Sequence, residues 1–322
     1  MMKVLIHQQP VIKHNLKMLK TRIVLITCLL YLIIPSINGQ LLWEITKPNQ
    51  PTSYLFGTHH LIPKSILDDK SCIELAYKNS DIVIGEIDIK EMQDPISMNY
   101  YMNAMQLSEK LTLENLISEK NMIVIQSVLK EISLNIPKSV FIKMHPAALS
   151  LIITSNYSSK YIQEMYNANE TSIDVYIQQL ATNDNKSIIA LETLKYQTDI
   201  LLKSKSLEEF SKELIDVCEG AKSGRLDIET KNLIELYLNE DIYSILKITE
   251  EQNADTSYKL SANEIDLLIN KRNILWAKKL ANSYLPSNSC FIAVGALHLP
   301  GKEGLLTLLE KEGYKVTAIK AH

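Results

Sequence analysis

The sequence predicts a helix-rich α/β fold, an α+β arrangement with a mixed central sheet built from N- and C-terminal strands and a large helical middle region. Runs rich in β-branched and aromatic residues indicate strands near both ends of the chain. They are Leu41 to Ile45, Tyr54 to Gly57, Asp81 to Glu86, Cys290 to Gly295 and Tyr314 to Ile319. Between these ends, apolar residues recur with helical spacing. The sheet must therefore join segments that lie far apart in the sequence.

Local signals predict the elements between these strands. The turn-forming segment Lys47 to Pro51 connects the first two strands, and a helix-length segment precedes the third. Helical periodicity runs from Glu91 to about Ser155, and again over roughly ninety residues up to Tyr284. Ser187 to Leu191 is predicted as a short buried strand between these regions. A last helix separates the final two strands.

The first residues have the pattern of a secretory signal peptide. A basic segment ending at Arg22 precedes an apolar stretch from Ile23 to Ile34, and the small residue Gly39 suits a cleavage site. The apolar stretch, about twelve residues, is shorter than the roughly 20 that a membrane-spanning helix needs; an uncleaved anchor is the alternative. We therefore predict residues 1–39 as a signal peptide and residues 40–322 as one domain. The predicted location is secreted or periplasmic, with no stable membrane span after removal of the signal.

Composition and motif content exclude several classes of site and partner. The net charge is −3, and most of the basic cluster at the start belongs to the predicted signal, so nothing indicates nucleic-acid binding. Outside the signal, Cys72, Cys218 and Cys290 are too few and too scattered for a disulfide framework. The chain has no glycine-rich phosphate loop, CxxC pair, HExxH helix or GxSxG elbow. The expected partner is a peptide or small-molecule substrate, and the oligomeric state stays open.

Two tetrads of the form Gly-x-x-His carry the signal for chemistry. Gly57-Thr58-His59-His60 and Gly295-Ala296-Leu297-His298 each close a predicted strand. A glycine there lets the backbone turn sharply and leaves an imidazole at the carboxyl end of a strand, where α/β proteins usually build their sites. The third strand adds Glu86 and Asp88 on one face at its end. We expect His60, Glu86 and His298 at the same edge of the sheet.

Each of these residues alone has an ordinary structural explanation. A histidine after a strand is commonly a cap, and a carboxylate at a strand end is commonly solvated. Two imidazoles and a carboxylate together are the ligands that a catalytic divalent metal such as manganese, cobalt or zinc needs. A metal so held lowers the pKa of bound water and polarises a carbonyl, so the combination predicts metal-dependent hydrolysis.

The same residues stand in segments that resemble the TraB/GumN family, which includes the Tiki metalloproteases. The opening resemblance runs from Leu42-Trp43-Glu44-Ile45 through Tyr54 to His60 and on to Glu86, and the closing one runs from Phe291 to Gly301 and on to Val316. Between them, segments in the family's order are Lys143-Met144-His145-Pro146, Ile173-Asp174, Leu191-Glu192-Thr193, Gln197, Arg272-Asn273 and Trp276-Ala277.

This resemblance implies a helix-rich α/β fold similar to the erythromycin-esterase and ChaN-like group. It implies a metal site formed by His60, Glu86 and His298. The Tiki branch is associated with manganese- or cobalt-dependent proteolysis, so the resemblance implies a secreted or periplasmic metallohydrolase, with a peptidase as the expected type.

Further residues have candidate roles with alternatives. Arg272 lies on a predicted amphipathic helix, Asn263 to Leu280, whose apolar positions include Leu275. It would hold a carboxylate or a developing oxyanion, or form a salt bridge on the helix surface. Glu192 would act as a general base or ligand, or as a charge at a helix N-terminus, and Asp88 is a second candidate base.

Two other histidines receive no metal role. The family usually has an apolar residue where this chain has His59, and adjacent side chains diverge, so His59 and His60 do not both face one ion. A supporting role near the site, a surface position and no function at all remain open for His59. His145, which precedes Pro146, is predicted to be structural.

A different class of function is compatible with the same motifs. The protein would then be a non-catalytic binding protein that sequesters a secreted peptide or a haem-like ligand, with the histidines as ligands. Turnover separates the two hypotheses, because an enzyme releases cleaved products whereas a binder captures its ligand stoichiometrically.

Overall fold

In the computed structural model, the structure describes residues 39–166, 170–251 and 259–320. These residues, apart from Gly39, belong to the unit Gln40–His322. The predicted signal peptide lies outside the described residues except for Gly39, so its cleavage stays a prediction. Within the described ranges, no helix is both long and apolar enough to cross a membrane.

One six-stranded mixed sheet organises the fold. Its strands are β1 (Leu42–Thr46), β2 (Ser53–Thr58), β3 (Ile82–Gly85), β4 (Ser187–Ala190), β5 (Cys290–Gly295) and β6 (Lys315–Ile319). Their order across the sheet is β4-β3-β5-β2-β1-β6. The neighbours β4, β3, β5 and β2 run parallel, whereas β1 pairs antiparallel with both β2 and β6. The predicted α/β class and the mixed sheet of N- and C-terminal strands are confirmed.

Strand β4 differs from its prediction. It was expected to be buried, but it forms an edge of the sheet, with Ser187 exposed and the residues from Ile188 to Ala190 half-buried. The prediction was wrong because an apolar run reports a preference for burial on a strand's faces, whereas the position in the sheet depends on distant pairing. As the fourth parallel strand, β4 nevertheless brings its carboxyl end to the same edge as β2, β3 and β5.

Helices fill the middle of the chain and cover the sheet. The α-helices are Ser71–Lys78, Pro95–Ala104, Glu119–Glu131, Lys138–Phe141, Pro146–Met165, Ile173–Asn183, Leu194–Lys203, Leu207–Ser223, Arg225–Leu238, Ile242–Glu250, Ala262–Ile265, Lys271–Lys279 and Leu305–Lys311. Short 3-10 helices are Lys64–Leu67, Ile89–Met92, Leu113–Asn115 and Ala296–His298, and π-helical turns are Asp266–Asn270 and Leu280–Tyr284. Local sequence sets their ends. For example, Ser206 and Glu209 form a capping box, and Gly224 ends that helix with φ 78°.

The helices and the sheet enclose two main hydrophobic cores. The larger core surrounds the sheet, and its centre is strand β5, where Phe291 and Ile292 are fully buried. The second core lies among the helices Glu119–Glu131, Pro146–Met165 and Leu207–Ser223 and includes Cys218. Cys218 and Cys290 are buried free thiols, which pack as small apolar residues, and Cys72 is also free.

The register of the parallel strands places both histidine tetrads side by side. Thr58 of β2 pairs with Gly295 of β5, and Gly85 of β3 pairs with Ala293 of β5. Parallel neighbours end at the same edge of a sheet, so the residues that follow these strands meet there. The convergence expected from the sequence therefore results from β5, a strand from the end of the chain, lying between β2 and β3.

The central position of β5 generates a stability prediction. Replacing the fully buried Ile292 by alanine should lower the free energy of unfolding by about 2–5 kcal/mol, because it leaves a cavity in the core. The matched change Ile228→Ala, at a helical position 71% exposed, should shift it by no more than about 0.5 kcal/mol. Urea unfolding measures both values. Equal losses would contradict the placement of β5.

Candidate functional site

Four side chains at one edge of the sheet form the candidate site, and each follows a different parallel strand. His60 follows β2, Glu86 follows β3, Glu192 follows β4 and His298 follows β5. Glu86, Glu192 and His298 are almost fully buried, whereas the His60 side chain is 64% exposed. The site therefore has one solvent-facing member among three enclosed ones.

The three predicted metal ligands converge around Gly295. Its backbone N–H donates to Glu86 Oε1 at 2.8 Å, and His298 Nε2 lies 3.8 Å from the same oxygen. A β-carbon placed on Gly295 would stand 3.2 Å from Glu86 Oε1, 3.6 Å from His298 Cδ2 and 3.9 Å from His60 Nε2. The structure thus brings together the residues that the sequence predicted to meet.

The two motif glycines permit close approach rather than a special turn. Neither Gly57 nor Gly295 has a positive φ. A β-carbon on Gly57 would lie 3.1 Å from the Cα of Ala296, in the other tetrad, and one on Gly295 would intrude among the site side chains. The prediction that these glycines serve a sharp turn of the backbone was therefore wrong. Glycine is needed because the backbone of one motif packs against the other and against the site.

Arg272 links two buried carboxylates. Its Nη2 donates to Glu86 Oε2 and to Glu192 Oε1, both at 2.6 Å, and its Nε donates to Glu192 Oε2 at 3.0 Å. All three side chains are no more than 7% exposed. Of the two alternatives for Arg272, the geometry therefore selects the cleft and excludes a surface salt bridge. Glu192 holds Arg272 in place with both of its oxygens.

Burial and pairing set the charge states of this triad. Burial alone would raise the pKa of the Glu86 carboxyl, but His298, Arg272 and the neighbouring donors lower it to about 2. Burial raises the pKa of Glu192, and the contact with Arg272 opposes that rise. The paired carboxylates raise the pKa of Arg272 despite its burial. A charged triad results, which is costly to bury unless its hydrogen bonds are made, as they are here.

Asn273 fixes the tautomer of His298. Asn273 Nδ2 donates to the backbone oxygens of His298 and Glu303, so Oδ1 must face His298 Nδ1, 2.7 Å away. Nδ1 therefore carries the proton. Nε2 accepts from Arg272 Nη1 at 3.0 Å, which requires a lone pair on Nε2. Burial lowers the pKa of His298 to about 3 and keeps the ring neutral.

Asp174 orients His60 in the same way. Asp174 Oδ1 accepts a hydrogen bond from the Thr58 hydroxyl at 2.6 Å, and Oδ2 lies 3.2 Å from His60 Nδ1. Nδ1 is therefore the protonated nitrogen, and Nε2 is the ring nitrogen nearer to Gly295. The Asp174 carboxylate raises the pKa of His60 to about 9, so a metal that binds this ring must displace a proton.

The remaining candidates lie outside this cluster of contacts. Asp88 caps the 3-10 helix Ile89–Met92 by accepting from Lys90 N. The His59 ring packs on Tyr237 at 5.4 Å, and its Nδ1 accepts from Leu61 N, while burial lowers its pKa to about 4. His145 Nδ1 accepts from Ala147 N and caps the helix Pro146–Met165, a structural role as expected.

The helix that carries Arg272 departs from the expected amphipathic pattern at some positions, while Ile269 and Trp276 are buried on its apolar face. Arg272 and Asn273 are buried, whereas Leu275, predicted as an apolar core position, is 59% exposed. The predicted continuous helix is interrupted by π-helical turns on both sides of Lys271–Lys279. Such turns change which residues face inward, and they often occur at functional sites. The prediction of an apolar face was therefore wrong at Leu275.

Residues without a predicted role complete the site. They are Asp174, Asn273, Trp276 and Gln197, which donates to Glu86 Oε2 at 3.0 Å. The Trp276 ring stacks 4.5 Å from both the Arg272 guanidinium and the His298 ring. Their only sequence signal was their place in the order of family segments, because no local pattern distinguishes them from ordinary polar or core residues.

The donor chemistry fits a divalent cation, although no formed metal site is present. In the described ranges, no group of three or more His, Cys, Asp or Glu side chains has a metal-holding geometry. Arg272 Nη1 engages the His298 lone pair that a metal would use. Once His60 has lost its proton, the contacting groups Glu86, Glu192, Asp174 and Arg272 carry two more negative than positive charges. One divalent cation would balance that excess.

Comparisons with known proteins show what the chain is similar to. The sequence model of the TraB/PrgY/gumN family matches residues 41–318. The chain is 24% identical over 312 residues to a protein of Danio rerio named Metalloprotease TIKI1, a match that covers 85% of this chain. The chain spans only 62% of that relative's length. No solved structure matches the chain.

The buried triad generates a prediction about stability. In protein treated with a chelator, Arg272→Met should lower the free energy of unfolding by about 3–5 kcal/mol, because it leaves Glu86 and Glu192 buried without their partner. Arg225→Met, which removes the partly exposed contact with Asp216, should cost about 0–1 kcal/mol. Adding Glu86→Gln and Glu192→Gln to Arg272→Met should recover part of the loss. Urea unfolding of the four proteins measures this, and equal effects of the two arginine changes would refute it.

Proposed function

The chain belongs to the TraB/PrgY/gumN family, and we propose that it is a metal-dependent hydrolase of peptide bonds. His60, Glu86 and His298 are the proposed metal ligands. The relative named Metalloprotease TIKI1 supports the reaction class. Because the two sequences are 24% identical and the chain spans 62% of the relative's length, the substrate and the bond cleaved are proposed here for this chain. A secreted or periplasmic location is part of the proposal and rests on the sequence of residues 1–39.

One observation carries the proposal: each imidazole is oriented through Nδ1, so that Nε2 is the ring nitrogen left to bind a cation, in His60 once that nitrogen has lost its proton. Asn273 accepts from His298 Nδ1, and Asp174 accepts from His60 Nδ1. Metal-binding histidines in proteins almost always donate their second N–H to such a carbonyl or carboxylate oxygen, which fixes the ring and raises its basicity. Glu86 Oε1 lies at the same place, beside Gly295.

The identity of the cation is not determined by this donor set. Imidazole and carboxylate suit manganese, cobalt and zinc, and availability commonly decides among them. When bound, the cation would lower the pKa of a water molecule and polarise the carbonyl to be attacked. Because Arg272 Nη1 hydrogen-bonds to His298 Nε2, metal binding would replace that hydrogen bond.

The surrounding residues position the reacting groups. Arg272 donates all of its N–H groups within the protein, and the Nη1 N–H now directed at His298 Nε2 would become available to steady the developing oxyanion if a metal took that nitrogen. Glu192 is proposed as a positioning residue rather than a base, since both of its oxygens accept from Arg272. Gln197 orients Glu86, and Trp276 shields the ring of His298 and the guanidinium from water.

Metal content and turnover test the proposal. Wild-type protein loaded with manganese, cobalt or zinc should retain about one ion per chain by elemental analysis and should cleave members of a peptide library. His60→Ala and His298→Ala should lose both properties. His59→Ala, the adjacent imidazole packed on Tyr237, is the matched control and should keep both. Retained metal without any cleavage would favour the binding protein, and full metal content in His298→Ala would refute the site.

The orienting role of Asn273 gives a separate prediction. Asn273→Ala removes the acceptor for His298 Nδ1 and should weaken metal binding about 10–100-fold. The exposed Asn99→Ala is the control. Metal titration with a fluorescent competitor measures the affinities, and identical values for Asn273→Ala and Asn99→Ala would contradict the assignment.

A further inference from the structure

A cavity of about 330 Å³ opens beside the proposed metal ligands. It lies between the end of β3, the segment that follows it and the helix Ile173–Asn183. Val83 and Gly85 of β3 line it together with Ala293 of β5, which pairs with Gly85. Val175 and Gln178 line it from the helix. His60 and Glu86 belong to the lining as well, so the cavity is continuous with the candidate site.

The chemistry of the lining is mainly aliphatic. The aliphatic and thioether side chains in the wall are Val83, Ile87, Ile89, Met92 and Val175. Ile87, Ile89 and Val175 are only half-buried, and Met92 is 50% exposed. Apolar side chains left partly exposed in a concave surface gain free energy when an apolar group covers them. A concave wall of this kind favours an apolar ligand.

The amide of Gln178, a polar group of the lining, is already engaged. Gln178 Nε2 donates to Ile87 O at 2.9 Å, and its Oε1 accepts from Ile89 N at 3.0 Å. Gln178 thereby fixes the segment that carries the aliphatic wall. Gly85 makes room for it, since a β-carbon there would lie 2.8 Å from Gln178 Nε2. The side-chain amide of Gln178 therefore holds the wall in place, and it is engaged with the backbone instead of being available to a polar ligand.

The charges sit at the end of the cavity next to the site. They belong to Glu86, Asp174 and His60, which contacts Asp174. The two carboxylates outnumber the one imidazole and disfavour an acidic ligand group. The volume is near the lower end of that of small-molecule sites, which suits one side chain better than an extended peptide. Methionine adapts its shape to different occupants, so Met92 allows several apolar side chains to fit.

We propose that this cavity is a specificity subsite that receives one apolar side chain, of the size of leucine, methionine or phenylalanine, from a peptide substrate beside the scissile bond. The proposal rests on the proposed hydrolase function for the identity of the peptide as substrate. The preference for an apolar side chain rests on the cavity alone, and it applies equally to metal-free protein.

Binding to metal-free protein tests the subsite independently of catalysis. Dye-labelled, end-capped glycine peptides with one central leucine, methionine, alanine or aspartate are titrated with chelator-treated full-length protein, and fluorescence anisotropy gives the affinities. The leucine and methionine peptides should bind at least about tenfold more tightly than the aspartate peptide. Equal affinities, or no binding of the leucine peptide, would overturn the subsite.

Substitutions locate the binding. Val175→Phe fills the cavity and should weaken binding of the leucine peptide at least about tenfold. Val140→Phe, at a position 51% exposed on the helix Lys138–Phe141, is the matched control and should have no effect. If Val175→Phe does not fold, Met92→Asp replaces it, because Met92 is half-exposed. A leucine-peptide affinity unchanged by both cavity substitutions would place its binding elsewhere and overturn the proposal.

Kinetics then separate the two proposals. In metal-loaded enzyme, Val175→Phe should raise KM for the leucine peptide more than KM for the alanine peptide, whereas Val140→Phe should leave both KM values and the metal content unchanged. Hydrolysis without any preference for leucine would refute the subsite and leave the hydrolase standing. Selective binding of the leucine peptide without metal or turnover would refute the hydrolase and leave the apolar cavity as a binding site.

Discussion

The guanidinium of Arg272, buried between Glu86 and Glu192, is the interaction on which the candidate site depends. It joins the ends of β3 and β4 to the helix Lys271–Lys279 and contacts His298 after β5. Removing water from three charged groups costs free energy. The hydrogen bonds that Arg272 donates to the carboxylate oxygens of Glu86 and Glu192 offset that cost. This network holds the polar edge of the sheet in one arrangement.

The sheet brings the residues of this network together although they are far apart in the sequence. Strand β5 inserts between β2 and β3, and all four parallel strands deliver a polar residue to the same edge. Gly57 and Gly295 allow the two histidine tetrads to approach closely. Next to this polar edge, the aliphatic cavity wall held by Gln178 provides surface of the opposite character. A charged cluster beside an apolar recess suits the cleavage of a bond next to an apolar residue.

Much of this arrangement could be predicted from the sequence, because strand patterns and a strand-end position report directly on topology. The strands and the meeting of His60, Glu86 and His298 follow from such local patterns. The edge position of β4, the exposure of Leu275 and the roles of Asn273 and Asp174 do not. Pairing in a sheet, the shift of helix faces by π-helical turns and the choice of a hydrogen-bond partner each depend on residues far away in the sequence. The cavity is likewise assembled from five separate parts of the chain.

The central claim, that two oriented imidazoles and Glu86 share one cation, is tested most directly by anomalous diffraction from crystals grown with cobalt. If the three residues share one cation, one anomalous peak is expected about 2.0–2.2 Å from His60 Nε2, His298 Nε2 and a Glu86 oxygen. In the same crystals, Arg272 should no longer hydrogen-bond to His298 Nε2, while Asn273 and Asp174 should still accept hydrogen bonds from the Nδ1 atoms of His298 and His60. A cobalt peak at another place, or a site without cobalt in which Arg272 still contacts His298 Nε2, would contradict a cation site shared by His60, Glu86 and His298.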